Sequence, residues 1–400
     1  MAMGERCNVL VIGGGPAGSV AATALAQAGR SVVLLERDHF PRFHVGESLL
    51  PESFPILERI GVAPLLEQED FPVKFGATFV LGDGSARTRI CFADALGERG
   101  RARQVLRSRF DEILLRHAET SGVDVREGVA ADELEIKPDG VRVDGIEADQ
   151  LIDASGRRGF LARRLNLRRA HPGLRKVAVY AHFPTAIRAA DTEEGDIVIV
   201  SLRNMEWIWL IPLPGGGTSV GAVFDRKDHP GGDAAAALMG RLNAVPILKD
   251  AVNGVEPTEV ARFEADYSYD SSSYAGDRWL MAGDAAAFLD PAFSTGVHLA
   301  IATGWDAAQA ILNGKHAAYG RAFARRLKVY DRFASGFYDP AFRDVLFSPQ
   351  ASRGMARAVT GVLAGMPPRG IRNRSQVAAF HLVTRLQNRW SLVPRTHTIF

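Results

Sequence analysis

The chain has 400 residues, 46% of them hydrophobic and 24% charged, an ordinary balance for a globular enzyme with one large α/β domain and a smaller one built on it. Its formal net charge of +2 gives no reason to expect a nucleic-acid partner. Two cysteines, Cys7 and Cys91, cannot make a disulfide framework and show no metal spacing, so a reducing cytoplasm and no metal are expected, and no apolar run has transmembrane length.

Asn8 to Ile12 is a short, β-branched apolar run bounded by glycines, the pattern of a buried parallel strand, and nothing before it has the form of a cleavable leader. Gly13, Gly15 and Gly18 follow as GxGxxG. An Ala-rich helix is predicted from Ser19 to Ala28, ending at Gly29, and then a strand from Ser31 to Leu35 with Glu36 at its end. Together they predict a bound dinucleotide, its pyrophosphate on the helix N-terminus and its ribose hydroxyls on Glu36. Pro72 to Phe79 reads as a buried strand that surrounds Lys74 with Phe75, Gly76, Ala77 and Phe79. A lysine so placed loses hydration and either pairs or lowers its pKa; a strand-edge lysine that discourages aggregation is the alternative.

Gln104 to Asp111 opens a helix, and Leu151 to Gly156 reads as another strand leading into a glycine turn. Val177 to Asp266 alternates apolar and polar residues with Pro-Gly turns, which predicts an antiparallel sheet. Within it Trp207 and Trp209 share one strand face, as core packing or as part of a motif. Trp279 to Ala285 is an apolar strand ending in Gly-Asp-Ala. Ser294, Thr295 and Gly296 precede a predicted helix whose N-terminus offers unpaired N–H groups to an anion, or is simply capped by Ser294 or Thr295. From about Gly314 the chain reads as helical and Arg-rich, and there is no internal repeat.

Three stretches carry a family resemblance: Lys74 to Phe79, the WxWxIP of Trp207 to Pro212, and Phe288 to Gly296, where Phe288, Pro291, Ser294 and Gly296 meet FxxPxxSxG. With the nucleotide motif they resemble the flavin-dependent halogenases, a branch of the single-component flavin monooxygenase superfamily, over roughly residues 7–312. The resemblance implies an α/β fold: a Rossmann-like FAD domain (1–72, 98–170 and 275–312), an inserted mostly antiparallel substrate sheet (73–97 and 171–274) and a helical C-terminal cap (313–400). Carried onto this chain, its FAD contacts are Gly13, Gly15, Pro16, Ala17, Gly18, Glu36, Arg37, Gly46, Glu47, Ser48, Arg107, Asp284, Pro291, Gly296 and Val297, with Arg42 to Ser48 as a strap along the flavin. Arg107 read alone is a solvated helix charge. Halide falls to Ser294, Thr295 and Gly296, and the barrier between flavin and organic substrate to Trp207, Trp209, Ile211, Pro212, Phe288, Pro291 and Phe293.

The implied activity is chlorination or bromination of an electron-rich ring, driven by FADH2 from a separate flavin reductase and by oxygen, with Lys74 holding or activating hypohalous acid. Tryptophan halogenases carry Glu just before Ser-Thr-Gly; Phe293 stands there in this chain, which points to a phenol or pyrrole, free or tethered to a carrier protein, in natural-product biosynthesis. The rivals are an aromatic monooxygenase, a reductase of the geranylgeranyl-reductase kind, and a non-catalytic flavin scaffold. The lysine motif separates the first two from a halogenase.

Overall fold

The computed structural model describes residues 5–189, 192–202, 205–265, 267–348 and 352–396. The strand Arg6–Ile12 lies at the centre of a seven-stranded sheet, parallel to Val32–Glu36 on one side and to Ile146–Asp153 on the other. Asp124–Glu127 extends this sheet beyond Val32–Glu36, and Trp279–Met281 pairs in parallel with Ile146–Asp153. An antiparallel hairpin, Leu134–Lys137 and Gly140–Val143, completes it. The central strands are buried on both faces, so they are continuous apolar runs rather than alternating ones. The first helix, Pro16–Gln27, begins three residues before the predicted Ser19, because Pro16 fits the first helical turn where its missing N–H costs nothing.

The second seven-stranded sheet runs in the order Arg262–Ala265, Lys176–Phe183, Thr218–Asp225, Trp207–Pro212, Ile197–Ser201, Gly76–Leu81, Arg87–Cys91. All its pairs are antiparallel except Ile197–Ser201 with Gly76–Leu81. Period-two alternation assigns its faces. Ile208, Leu210, Val198, Val200, Val220 and Ala222 pack one face on the helix Ala234–Asn243 through Leu238 and Leu242. Trp207, Trp209, Ile211, Ile197 and Ile199 point the other way, into the core shared with the first sheet. The helix lies inside the segment predicted as sheet; its capping signal, Asp233 accepting from the Ala235 N–H, was present in the sequence.

Val73–Lys74, expected at the start of the second sheet's unit, pairs instead with Ala102–Arg103 in a separate two-stranded ribbon. The long helix Thr295–Leu312 packs against Pro16–Gln27. It is followed by helices His316–Gly336, Pro340–Phe347, Arg353–Leu363 and Gly370–Trp390, whose apolar faces continue the main core through Phe333, Phe337, Phe342 and Phe380. Among the described residues no helix is long and apolar enough to cross a membrane.

Candidate active site

One cavity of about 670 Å³ runs between the two sheets, a volume suited to a cofactor-sized ligand. At one end the Arg6–Ile12 strand turns at Gly13, whose φ of +102° and close approach to the Ala154 carbonyl leave no room for a Cβ. A Cβ on Gly18 would likewise collide with the Gly13 carbonyl, so Gly18 packs helix against strand and does not line the cavity. Gly15 is the N-cap of the Pro16–Gln27 helix and has no capping side chain, which leaves the first-turn N–H groups free to face an anion. Glu36 is fixed at the cavity edge: its Oε2 accepts from the Gly14 N–H at 2.6 Å and its Oε1 from the Asp38 N–H at 2.9 Å. Gly13, Gly15, Pro16, Ala17, Glu36 and Arg37 all line the cavity.

The segment from Arg42 to Ser48 crosses the cavity as a strap. Arg107 holds it: Nη1 donates to the Val45 carbonyl at 2.8 Å, while Nε and Nη2 grip Asp111 at 2.8 Å each. Arg107 is thus a buried, bidentate ion pair rather than a solvated charge. Glu47 is buried, with Oε1 3.0 Å from Nε2 of His182 and Oε2 accepting from the Gly46 N–H at 3.0 Å. Burial first, and then the Arg107 guanidinium, hold His44 at about 4, so it is uncharged at neutral pH. Asp284 lines the opposite wall; burial pushes its carboxyl up to about 6 against the pull of Arg107 and Arg157. Arg42 and Arg157 add cationic lining that suits a pyrophosphate. Arg157 pairs through Nη1 with Glu264 at 2.6 Å, and its Nε is buried without a hydrogen-bond partner, a donor that a ligand could satisfy.

At the far end Trp207, Trp209 and Ile211 line the cavity from the second sheet, with the two indole centroids 5.9 Å apart. Pro212 has the opposite strand parity and does not line it, which removes it from the predicted barrier wall. The Trp207 Nε1–H donates to Tyr338 Oη at 2.8 Å, and Tyr338 donates to Asp290 Oδ2 at 2.7 Å. Asp290 Oδ1 also accepts the Ala292 N–H, capping the short turn Pro291–Phe293. Ser294 then enters a left-handed conformation at φ +56°, with no capping hydrogen bond from its side chain; the simple cap expected of it is not formed. Phe288, Pro291, Ser294, Gly296 and Val297 line the cavity, whereas Thr295 is buried beneath and lines neither space.

A second cavity, of about 20 Å³, shares Ile197 and Ser294 with the first. Lys74, 1% exposed, reaches it together with Phe79, Phe92, Phe293 and Leu363, so Phe293 belongs to this chamber and not to the larger cavity. The ammonium donates to Ser48 Oγ at 2.7 Å and to the Leu49 carbonyl at 3.0 Å, and lies 5.3 Å from the Phe92 ring centroid. No carboxylate pairs with it among the described residues. Burial lowers Lys74 to about 7, opposed by the charge of Asp196. The strand-edge alternative fails on this burial. Sequence reasoning missed Arg157, His182, Asp196 and Tyr338. Arg157, straight after the turn at Gly156, was open to local reading; the other three act through partners more than a hundred residues away.

The sequence model of the family described as FAD binding domain matches residues 6–337. The chain is 37% identical to a flavin-dependent halogenase of Armillaria mellea over 77% of its own length and 65% of that protein, and so spans about two thirds of that relative. It is 35% identical to a 1H-pyrrole-2-carbonyl-(peptidyl-carrier protein) chlorinase of Pseudomonas fluorescens over 74% of this chain and 73% of that one. Among solved structures it resembles a flavoprotein/dehydrogenase of Cytophaga hutchinsonii (TM-score 0.86, 27% identity, 96% of this chain and 100% of that one). It also resembles the flavin-dependent halogenase CmlS (TM-score 0.79, 30% identity, 96% of this chain and 77% of that one).

Proposed function

The chain belongs to the flavin-dependent halogenases, with FAD as cofactor, and we propose that it halogenates an electron-rich aromatic ring such as a phenol or pyrrole. The observation that carries this reading is a buried lysine with no ion-pair partner among the described residues, in a small chamber that shares Ser294 and Ile197 with the flavin-sized cavity. A hydroxylase or prenyl reductase has no use for such a group.

Bound in reduced form, the flavin supplies the reducing equivalents for oxygen activation toward halide. The protein's own part is placement. The helix N-terminus at Gly15, with Arg42 and Arg157, binds the pyrophosphate, and Glu36 the ribose. Ser294 and Gly296, at the N-terminus of Thr295–Leu312, suit chloride or bromide; Thr295 contributes backbone rather than lining. Trp207, Trp209, Ile211, Phe288 and Pro291 wall organic substrate off from the flavin end. Lys74 holds the hypohalous acid by donating to its oxygen or, when neutral, takes the halogen onto nitrogen as the oxygen–halogen bond breaks and the hydroxyl leaves as water with an amine proton; with a pKa near 7 both forms exist at working pH. A chamber of about 20 Å³ admits a species near the size of a water molecule but no ring, so Phe293 or Leu363 moves aside when the arene enters.

The proposed partners are a separate flavin reductase and a substrate either free or tethered to a carrier protein. Exposed arginines at 372, 374, 385 and 389 along Gly370–Trp390 suit an acidic carrier. The unpaired cysteines Cys7 and Cys91 fit a cytoplasmic location.

The protein supplied anaerobically with FADH2, then with oxygen and bromide or chloride, should convert an electron-rich probe such as a phenol into its halogenated form, detected by mass spectrometry. Hydroxylated probe, with no halide dependence, would overturn the reading in favour of a monooxygenase. The Trp207–Tyr338–Asp290 chain gives a second expectation. Tyr338→Phe leaves the buried indole N–H without its acceptor, at a cost of about 1–3 kcal/mol, and frees the ring to shift. Halogenated product per FADH2 should then fall about two- to tenfold while hydrogen peroxide release rises and FAD affinity holds. Unchanged coupling would show that the tyrosine does not position the wall.

A further inference from the structure

Lys74 depends on groups that lie outside both cavities. Asp196, 1% exposed, stands directly before the strand Ile197–Ser201. Its Oδ1 accepts the N–H of Phe75, the residue following the lysine, at 3.0 Å. Its Oδ2 accepts from Arg89 Nε at 2.8 Å. On the other side of the lysine, the Val73 carbonyl presses against Gly195, whose φ of +83° and lack of a Cβ are required by that approach. The Gly195 carbonyl in turn accepts from Gln104 Nε2 at 2.8 Å, and the Gln104 backbone N–H donates to the Pro72 carbonyl at 2.9 Å. The corner at Gly195 and Asp196 thus grips the chain on both flanks of Lys74, from a strand more than a hundred residues away.

We propose that Asp196 is the positioning residue of Lys74: it fixes the backbone that carries the lysine and supplies a negative charge that acts on the ammonium from a distance, while Arg89 sets how much of that charge is felt. The inference rests on the reading that Lys74 acts on the oxidised halogen. Asp196 lines neither cavity, so it reaches the chemistry only through neighbours, of which Lys74 is the ionisable one in the chamber.

The charges around the lysine make the idea directional. Asp196 is the charged group acting on Lys74, against the larger effect of burial. Arg89 pairs with Asp196 and is itself influenced by Cys91 and Glu193. Ser48, Leu49 and Phe92, the direct contacts of the ammonium, are uncharged, and Asp196 acts on it through space without an ion pair. Removing the Asp196 charge therefore favours the neutral amine and moves the Lys74 titration toward acid. Removing Arg89 strengthens the carboxylate's hold on the ammonium and moves it toward alkali.

The test is a titration of protein carrying ¹³Cε-labelled lysine, with the Lys74 signal identified by its absence in Lys74→Met. Asp196→Asn keeps an acceptor for the Phe75 amide and loses the charge; the Lys74 midpoint should fall by about 0.5–1 pH unit. Arg89→Gln, at a side chain one third exposed, should raise it by a similar amount. The pH at which arene halogenation changes should follow both shifts, whichever form of the lysine is active. A Lys74 midpoint that stays in place in both variants overturns the proposal. If Asp196→Asn does not fold, Arg89→Gln decides alone: an alkaline shift supports it, and an unmoved or acidic midpoint overturns it. Should Lys74→Met retain halogenation, the functional reading falls, yet the titration still decides what Asp196 does.

Discussion

Lys74→Met is expected to lower arene halogenation by about 10²–10⁴-fold, the range lost when a positioned proton-transfer group is removed, while oxygen consumption by the reduced flavin continues. Methionine preserves most of the lysine's length and apolar stem, so the chamber formed with Phe79, Phe92 and Phe293 keeps its packing. What is lost is the donor now directed at Ser48 and Leu49. Stability supplies a control with a definite sign. The folded-state pKa of Lys74 lies near 7, below the ordinary lysine value, so between about pH 7 and that value the unfolded chain holds a proton that the folded chain does not. Wild-type stability therefore rises as pH climbs through that window, and the lysine is most destabilising at and below about pH 7. Lys74→Met should melt higher than wild type at pH 6, with the difference shrinking by pH 9.5. Halogenation at the wild-type rate by a correctly folded Lys74→Met protein would end the assignment, because among the described residues no other amine lines the chamber.

Local pattern carried the nucleotide half of this protein. Strand, glycine turn, helix, strand and Glu36 lie within about thirty residues, and each was readable because its partners are near in sequence. The WxWxIP stretch was legible for a related reason: strand parity alone sends Trp207, Trp209 and Ile211 to one face. The same rule sends Pro212 away, and the motif's reading as a block hid that. Thr295 was read for its backbone amide, which a helix N-terminus presents to an anion even where the side chain is buried. Contacts that close the site were not legible. Tyr338 meets Trp207 across 131 positions, His182 meets Glu47 across 135, and Asp196 meets the Phe75 amide across 121. None of these pairs has a local signature: Tyr338 comes from just beyond the helix His316–Gly336, His182 reaches from the second sheet to the strap, and Asp196 and Phe75 stand before two neighbouring parallel strands that are far apart in sequence. The Ala234–Asn243 helix is a different failure, since its Asp cap was present in the sequence but its short apolar stripe was read as strand alternation.

Gly15→Val should abolish FAD binding, weakening it at least about 100-fold, or roughly 2.7 kcal/mol, without unfolding the chain. A Cβ at this position meets only the end of the Arg42 side chain, at 3.5 Å, and the backbone is not in the left-handed region. The added methyl groups would stand over the uncapped first turn of Pro16–Gln27, where a pyrophosphate needs to approach the N–H groups closely. Gly18→Ala is the informative contrast: its Cβ would drive into the Gly13 carbonyl, separating helix from strand, so that variant should lose stability as well as flavin. The two substitutions therefore divide the glycine motif into a ligand-facing position and a packing position. Flavin titration followed by absorbance, beside thermal melting of the flavin-free proteins, distinguishes them. A normal flavin spectrum in Gly15→Val would mean that the pyrophosphate does not sit on this helix. An unaltered melting temperature in Gly18→Ala would mean that the turn at Gly13 can yield, and that the close approach of helix to strand is not what requires glycine there.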